Sequence, residues 1–123
     1  LRDLVQTFFT ERLVKINLYP FATTLDFNDC SLQFYENGSK GIGIHRDYAM
    51  FRNLICIIVL EGKARFCVCR DRYGANTEEI KNLPGYAIFL RAKGLLKMDA
   101  RPFHFVESIQ GQRLTFGLRQ KQT

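Results

Sequence analysis

The spacing of apolar side chains changes along the chain from a helical period to a strand period. In residues 1–16 apolar positions recur at i, i+1, i+4 and i+5, which predicts a helix with one apolar stripe. The positions on this stripe are Leu4, Val5, Phe8, Phe9, Arg12 and Leu13. Residues 17–30 contain Pro20 and several Asn, Asp and Thr residues, so we expect a loop there.

From residue 30 onward, short runs of alternating or continuous apolar residues are separated by turn signals. The predicted strands are residues 30–36, 42–47, 53–62, 63–71, 86–92, 103–108 and 112–120, with a loop at 72–79. The turn sequences EGK and IQG should close two hairpins, one between the third and fourth strands and one between the last two. Many short strands are typical of a sandwich or small barrel. One helix beside them favours a mostly β fold, a jelly roll (double-stranded β-helix) with the helix packed outside.

The length of 123 residues suits a single domain, with a helix and loop in residues 1–30 and a jelly-roll core in residues 31–120. Hydrophobic residues make up 46% of the chain, which is enough to bury a core. No apolar run approaches the length of a membrane span, and the N-terminal region carries charges where a signal peptide would be apolar. We therefore expect an intracellular protein, cytoplasmic or nuclear, or else a piece of a longer chain. We assume that it is a monomer.

The formal charge of +6 changes the picture of possible partners. It fits a polyanion such as nucleic acid, although a basic surface without such a partner has the same composition. Five basic residues fall on predicted loops or strand ends, where they could line a groove for a phosphate backbone or form an ordinary solvated surface. These residues are Arg70, Arg72, Arg91, Lys93 and Lys97.

The four cysteines do not have the spacing of a zinc site. Cys67 and Cys69 are separated by one residue, whereas a zinc knuckle needs two CxxC-type pairs. Cys56 also lies in a strand-like run, where a cysteine packs as a small hydrophobe. We expect these three and Cys30 to be reduced thiols in or near the core.

The two histidines and one aspartate form a candidate metal site. His45 and Asp47 are two residues apart in the stretch GIGIHRDYAM, so on a strand their side chains point to the same face. His104 comes much later, after enough predicted strands for the chain to return beside them. Two histidines and a carboxylate on adjacent strands make the facial triad of non-haem Fe(II), with three coordination positions left open. The alternative is a polar edge strand and two ordinary surface histidines.

Two arginines follow His104 on the last predicted strand. Arg113 and Arg119 are separated by an even number of residues, so they face the same side of that strand. Two inward-facing cations are costly unless an anion pairs with them. The planar fork of Arg113 could hold a carboxylate through two hydrogen bonds, as a dicarboxylate ligand would require.

The order HxD, then His, then RxxxxxR within RLTFGLRQ resembles the Fe(II)/2-oxoglutarate dioxygenases, and within them the AlkB-like branch. The upstream segment QFYENGSKGIGIHRD is similar to that family's N-x-Y, Y-x-x-G and H-x-D elements, with Tyr35 and Gly38 in matching places. The resemblance extends from about Ser31 to Gln120. It departs from the family pattern at Gln33, which stands in place of asparagine, and by one extra residue between Tyr35 and the HxD motif.

The resemblance implies a role for each matching residue. His45, Asp47 and His104 would hold Fe(II). Arg113 would bind the distal carboxylate of 2-oxoglutarate together with the Tyr35 hydroxyl, next to Gln33, and Arg119 would lie near the carboxylate that chelates iron. The implied reaction consumes O₂ and 2-oxoglutarate, releases succinate and CO₂, and hydroxylates a substrate C–H bond. On an N-methyl group this hydroxylation leads to loss of formaldehyde.

The sequence leaves the substrate open. Tyr48, Phe51 and Arg46 lie beside the HxD motif and could contact substrate, whereas Tyr19, Phe21 and Phe27 could stack a base or belong to the core. Three hypotheses remain. The chain could demethylate N-alkylated bases, preferably in single-stranded nucleic acid; it could hydroxylate a protein side chain or small molecule; or it could be a non-enzymatic binding module.

Overall fold

The computed structural model of the protein describes residues 1–16 and 19–122, which form one helix and six antiparallel strands. The elements are α1 (Arg2–Leu13), β1 (Asp29–Tyr35), β2 (Ile42–His45), β3 (Phe51–Cys69), β4 (Glu78–Ile80), β5 (Ala87–Arg91) and β6 (Phe103–Lys121). The prediction of a mostly β chain with one N-terminal helix is confirmed. Residues 17 and 18 of the predicted loop lie outside the described residues.

Strands β3 and β6, each of 19 residues, pair with each other along most of their length and organise the sheet. The first half of β3 pairs with β5 and with the second half of β6, which in turn pairs with β1. The second half of β3 pairs with β4 and with the first half of β6, which pairs with β2. The strands therefore form two four-stranded groups, joined where β3 and β6 bend.

Both predicted hairpins are wrong, because the EGK and IQG segments bend a strand instead of reversing it. Gly62 and Gly111 have positive φ angles of 85° and 72°, and the pairing register shifts between Val59 and Arg65. A Cβ atom on Gly62 would collide with the backbone of Gln112, so the bend of β3 lies tightly against β6. The glycines supply a conformation that other residues rarely adopt, and the strands continue past them.

Two apolar clusters hold the fold together. The larger cluster takes side chains from both four-stranded groups, including Ile57 and Leu90 from one and Phe66 and Val106 from the other. The two groups therefore share one apolar core. The smaller cluster lies between the outer face of the sheet and α1. Its residues include Phe21, Phe27, Cys56 and Leu118, with Val5, Phe9 and Leu13 of the helix packed against them.

The helix confirms only half of its predicted apolar stripe. Val5 and Phe9 contact the sheet, but Leu4 and Phe8 are 71% and 50% exposed. Within the part of the chain that the structure describes, no helix is long and apolar enough to cross a membrane. Two strand boundaries also differ from prediction. Strand β2 ends at His45 instead of continuing to residue 47, and β4 occupies residues 78–80, partly within the predicted loop at 72–79.

Candidate metal centre

His45, Asp47 and His104 lie together where β2 ends beside the start of β6. The two histidines are directly opposite each other in the β2–β6 pair, and their ring centroids are 4.3 Å apart. The Nε2 atom of each ring is 3.7 Å from Oδ1 of Asp47. One potential ligand atom from each residue lies within 4.8 Å of the others, so the group could hold a metal ion. Asp47 reaches this position from the loop after β2, and not from the strand as the alternation argument supposed.

Backbone carbonyl groups orient both imidazole rings. Nδ1 of His45 lies 2.8 Å from the carbonyl oxygen of Gly43, and Nδ1 of His104 lies 3.2 Å from that of Pro102. With Nδ1–H donating to these carbonyls, the lone pair of each Nε2 faces Asp47, which is the usual arrangement around metal-bound histidines. Burial lowers the pKa of His104, with a smaller opposing effect from Asp47. Both features favour the neutral imidazole that a metal requires.

The carboxylate of Asp47 has an unused oxygen. Its Oδ2 atom is buried and has no hydrogen-bond partner among the described residues. An unpaired buried carboxylate oxygen is costly, and a divalent cation would remove that cost. Two imidazole nitrogens and one carboxylate are also the ligand types that suit non-haem iron. The unpaired Oδ2 atom therefore supports a metal site through an observation that does not depend on the spacing of the three residues.

Arg101 holds the backbone of the aspartate loop, and it is a residue that the sequence did not single out. Its Nη1 atom donates to the carbonyl oxygen of Asp47 at 2.6 Å, although the two residues are 54 positions apart. The next residue, Pro102, supplies the carbonyl that orients His104. One short segment therefore positions two of the three potential ligands. The only local signal was the dipeptide Arg101–Pro102 directly before β6.

Arg113 is a buried cation without a carboxylate partner among the described residues. Its side chain is 1% exposed, and Nε and Nη1 have no partner among the described residues. It lies opposite Tyr35 in the β1–β6 pair, and Tyr35 packs against the larger apolar cluster. Burial lowers the pKa of Arg113. Burial raises the pKa of Tyr35, which nearby Arg113 and Arg119 oppose, so the phenol keeps its proton and can donate it in a hydrogen bond.

Arg119 is also buried but is better satisfied. Its Nη1 atom donates to Oγ of Ser31 at 2.7 Å, and its guanidinium lies 5.3 Å from the ring centroid of Phe51. The guanidinium also occupies the space that a side chain at residue 117 would need. A Cβ atom on Gly117 would be 2.7 Å from Nη1 of Arg119. Gly117 thus leaves room for the Arg119 side chain to reach Ser31 on β1.

The other sequence candidates fall into different environments. Gln33 lies half-buried opposite Thr115, between the Tyr35 and Ser31 positions of β1. Tyr48 is 75% exposed with its ring 6.4 Å from that of Phe51, and Arg46 lies 4.4 Å over the ring of Phe103.

Phe21 and Phe27 belong to the core, at 7% and 0% exposure, while Tyr19 is 42% exposed. All four cysteines, which lie within the described residues, are free, and Cys30 alone of them is exposed.

The five basic residues do not share one groove. Lys93 and Lys97 line one cavity, but Arg91 lines a different one beside Asp47. Arg70 and Arg72 lie in the segment between β3 and β4. The cavity with the two lysines contains two further cations that the sequence did not indicate, Arg52 and Lys121.

No protein-family model and no curated protein matches this chain.

Proposed function

We propose that the protein is an Fe(II)- and 2-oxoglutarate-dependent dioxygenase of AlkB-like type. The observation that carries this proposal is the presence of a His/Asp/His group together with a buried arginine that has no carboxylate partner among the described residues. The strand order supports it as well. Bent strands β3 and β6, shared by two four-stranded groups with one apolar core, fit a double-stranded β-helix.

His45, Asp47 and His104 would hold the iron through two nitrogens and one carboxylate oxygen. When bound, Fe(II) supplies the redox chemistry that uses O₂ and 2-oxoglutarate to oxidise a substrate C–H bond. The chain itself fixes the geometry. The Gly43 and Pro102 carbonyls set the two rings, and a metal would use the carboxylate oxygen that has no partner among the described residues.

Arg113 would bind the far carboxylate of 2-oxoglutarate. Its guanidinium can donate from Nη1 and Nη2 to both oxygens of a carboxylate, and Tyr35, opposite it on β1, would add a third bond through its hydroxyl. Arg119, held by Ser31, would lie near the other end of the co-substrate. Arg113 is almost fully buried, and a charged pair shielded from water in this way is stronger than one at the surface.

For substrate we propose N-alkylated bases in single-stranded nucleic acid. The +6 charge and the exposed Tyr48 ring beside the aspartate loop support this choice. A single strand avoids the cost of unstacking a base from a duplex. A hydroxylase of protein side chains or small molecules is the second candidate. The observation in its favour is that Phe21 and Phe27 are core residues, and α1 packs on the sheet away from the metal site.

Mn(II) binding and succinate release test the proposal. Wild-type protein should bind one Mn(II) ion and, with Fe(II), convert 2-oxoglutarate to succinate. Asp47→Ala should lose both, while Glu36→Ala, which removes an exposed carboxylate, should lose neither. Wild-type Mn(II) affinity in Asp47→Ala would refute the metal assignment.

The substrate class needs a separate measurement. Methylated single-stranded oligonucleotides should stimulate succinate release, and their binding should weaken steeply between roughly 50 and 200 mM salt. Stimulation by a peptide or metabolite, with none by any methylated oligonucleotide, would select the second candidate. A chain that binds metal and co-substrate without any turnover would fit a binding module.

A further inference from the structure

A cavity of about 690 Å³ lies apart from the three metal-binding candidates. Its walls come from four parts of the chain: residues 22–28 before β1, the start of β3, residues 93–99 after β5, and residues 120–122 at the end of β6. None of His45, Asp47 and His104 contributes to it. Its volume is within the range of small-molecule sites, which is roughly 300–1,000 Å³.

Asn53 ties these walls together. It is fully buried, and its φ angle of 61° is one that residues other than glycine seldom adopt. Its Nδ2 atom donates to Oγ1 of Thr23 at 3.0 Å and to Oε1 of Gln120 at 2.7 Å, while its backbone N–H donates to the carbonyl of Lys93 at 2.8 Å. One residue therefore connects three wall segments to the start of β3. The cavity is thus held open by a fixed hydrogen-bond network.

The charges that line the cavity are unbalanced. They are Arg52, Lys93, Lys97, Lys121, Asp26 and Asp99. Both carboxylates already have partners, since Asp26 lies 2.8 Å from Arg2 and Asp99 lies 3.8 Å from Lys93. Arg52 bonds to the neutral amide of Gln122. Within residues 1–16 and 19–122, Arg52, Lys97 and Lys121 consequently have no carboxylate partner.

We propose that this cavity binds the phosphate group of a nucleotide, at a site separate from the metal centre. Three cations without carboxylate partners favour a multiply charged anion, and Arg52 offers the planar fork that matches phosphate oxygens. The carbonyl oxygen of Asn53, Oδ1, is buried without a described partner and can accept a bond from an N–H or O–H group nearby. Arg52 directly follows Phe51, so the cavity begins one residue from the Tyr48–Phe51 aromatic pair.

The nucleotide could be free or part of a single strand, and calorimetric titration of the whole chain distinguishes the two. AMP and a six-residue oligoadenylate are the probes, in the absence of iron and 2-oxoglutarate, so the result does not depend on the proposed dioxygenase activity. At least one probe should bind. If both probes bind with comparable affinity per phosphate group, the ligand is a free nucleotide. If only the oligonucleotide binds, the ligand is a nucleic acid.

A charge-matched pair of variants decides whether the cavity is responsible. Arg52→Gln/Lys121→Gln should weaken binding about ten-fold or more. Lys40→Gln/Lys63→Gln removes two exposed cations elsewhere, and should change it less than two-fold. Lys97→Gln, at an exposed position, should weaken binding to a smaller extent. Asp47→Ala should bind as wild type does, which separates this site from the metal centre. If neither probe binds, or if the two double variants lose binding equally, the proposal is overturned.

Discussion

Replacing Arg113 by methionine should make the co-substrate-free protein more stable, although it removes a residue that we place in the binding site. Two donors of the guanidinium, Nε and Nη1, are buried without described partners. Each unpaired donor costs about 1–3 kcal/mol, and methionine has none while retaining a similar volume. Replacing buried charge with apolar side chains has stabilised other proteins by about 1–4 kcal/mol. We expect a rise in the free energy of unfolding within that range.

Urea denaturation without metal or 2-oxoglutarate measures this change. Arg119→Met is the matched control, because the Arg119 guanidinium already bonds Ser31 and contacts the Phe51 ring. That variant should be neutral or less stable than wild type. In a second experiment, 2-oxoglutarate with Mn(II) should raise the melting temperature of wild type but not of Arg113→Met. A loss of more than about 1 kcal/mol in Arg113→Met would mean that its guanidinium is already well paired, and the reasoning would fail.

Three further predictions concern other parts of the molecule. Arg101→Met should weaken Mn(II) binding about 10–100-fold by releasing the Asp47 carbonyl, with Arg101→Lys intermediate and the circular dichroism unchanged; wild-type affinity would contradict this. Gly117→Ala should displace the Arg119 guanidinium and cost about 1–3 kcal/mol in urea unfolding, so an unaltered midpoint would show that the arginine can move freely. Maleimide should label Cys30 rapidly in the native protein and the other three cysteines only after unfolding; mass spectrometry that finds several labels at once would refute their burial.

The candidate metal group could be predicted because its chemistry depends on residue type and on one strand pairing. The chain has only two histidines, and one of them belongs to the HxD motif. A mostly β fold therefore offers few arrangements in which both histidines bind one metal ion. The loop position of Asp47 could not be read from alternation, because the strand ends at His45 for reasons of pairing with β6. The local pattern therefore led to the right side chains through a partly wrong geometry.

The hairpins were predicted wrongly, and the basic cavity could not be located from the sequence, for a common physical reason. A glycine with positive φ serves a reversal and a bend equally well, so Gly62 and Gly111 cannot indicate which one occurs. Pairing with a distant strand decides it. In the same way, Lys93 and Lys121 line one cavity because segments that are far apart in sequence come together there. The bond from Arg101 to the aspartate loop also depends on such contacts and leaves almost no local signal.

The shared strand β6 has a consequence for how the protein folds. Its contacts range from Cys69 with Phe103 to Asp29 with Arg119, so they close loops of different and mostly large size. Contacts between residues distant in sequence slow folding, because much chain entropy is lost before they form. The same strand carries His104 in its first half and both arginines in its second. Neither ligand site can be complete before this strand is in place, so metal and co-substrate affinity should appear together, in the slowest step of refolding.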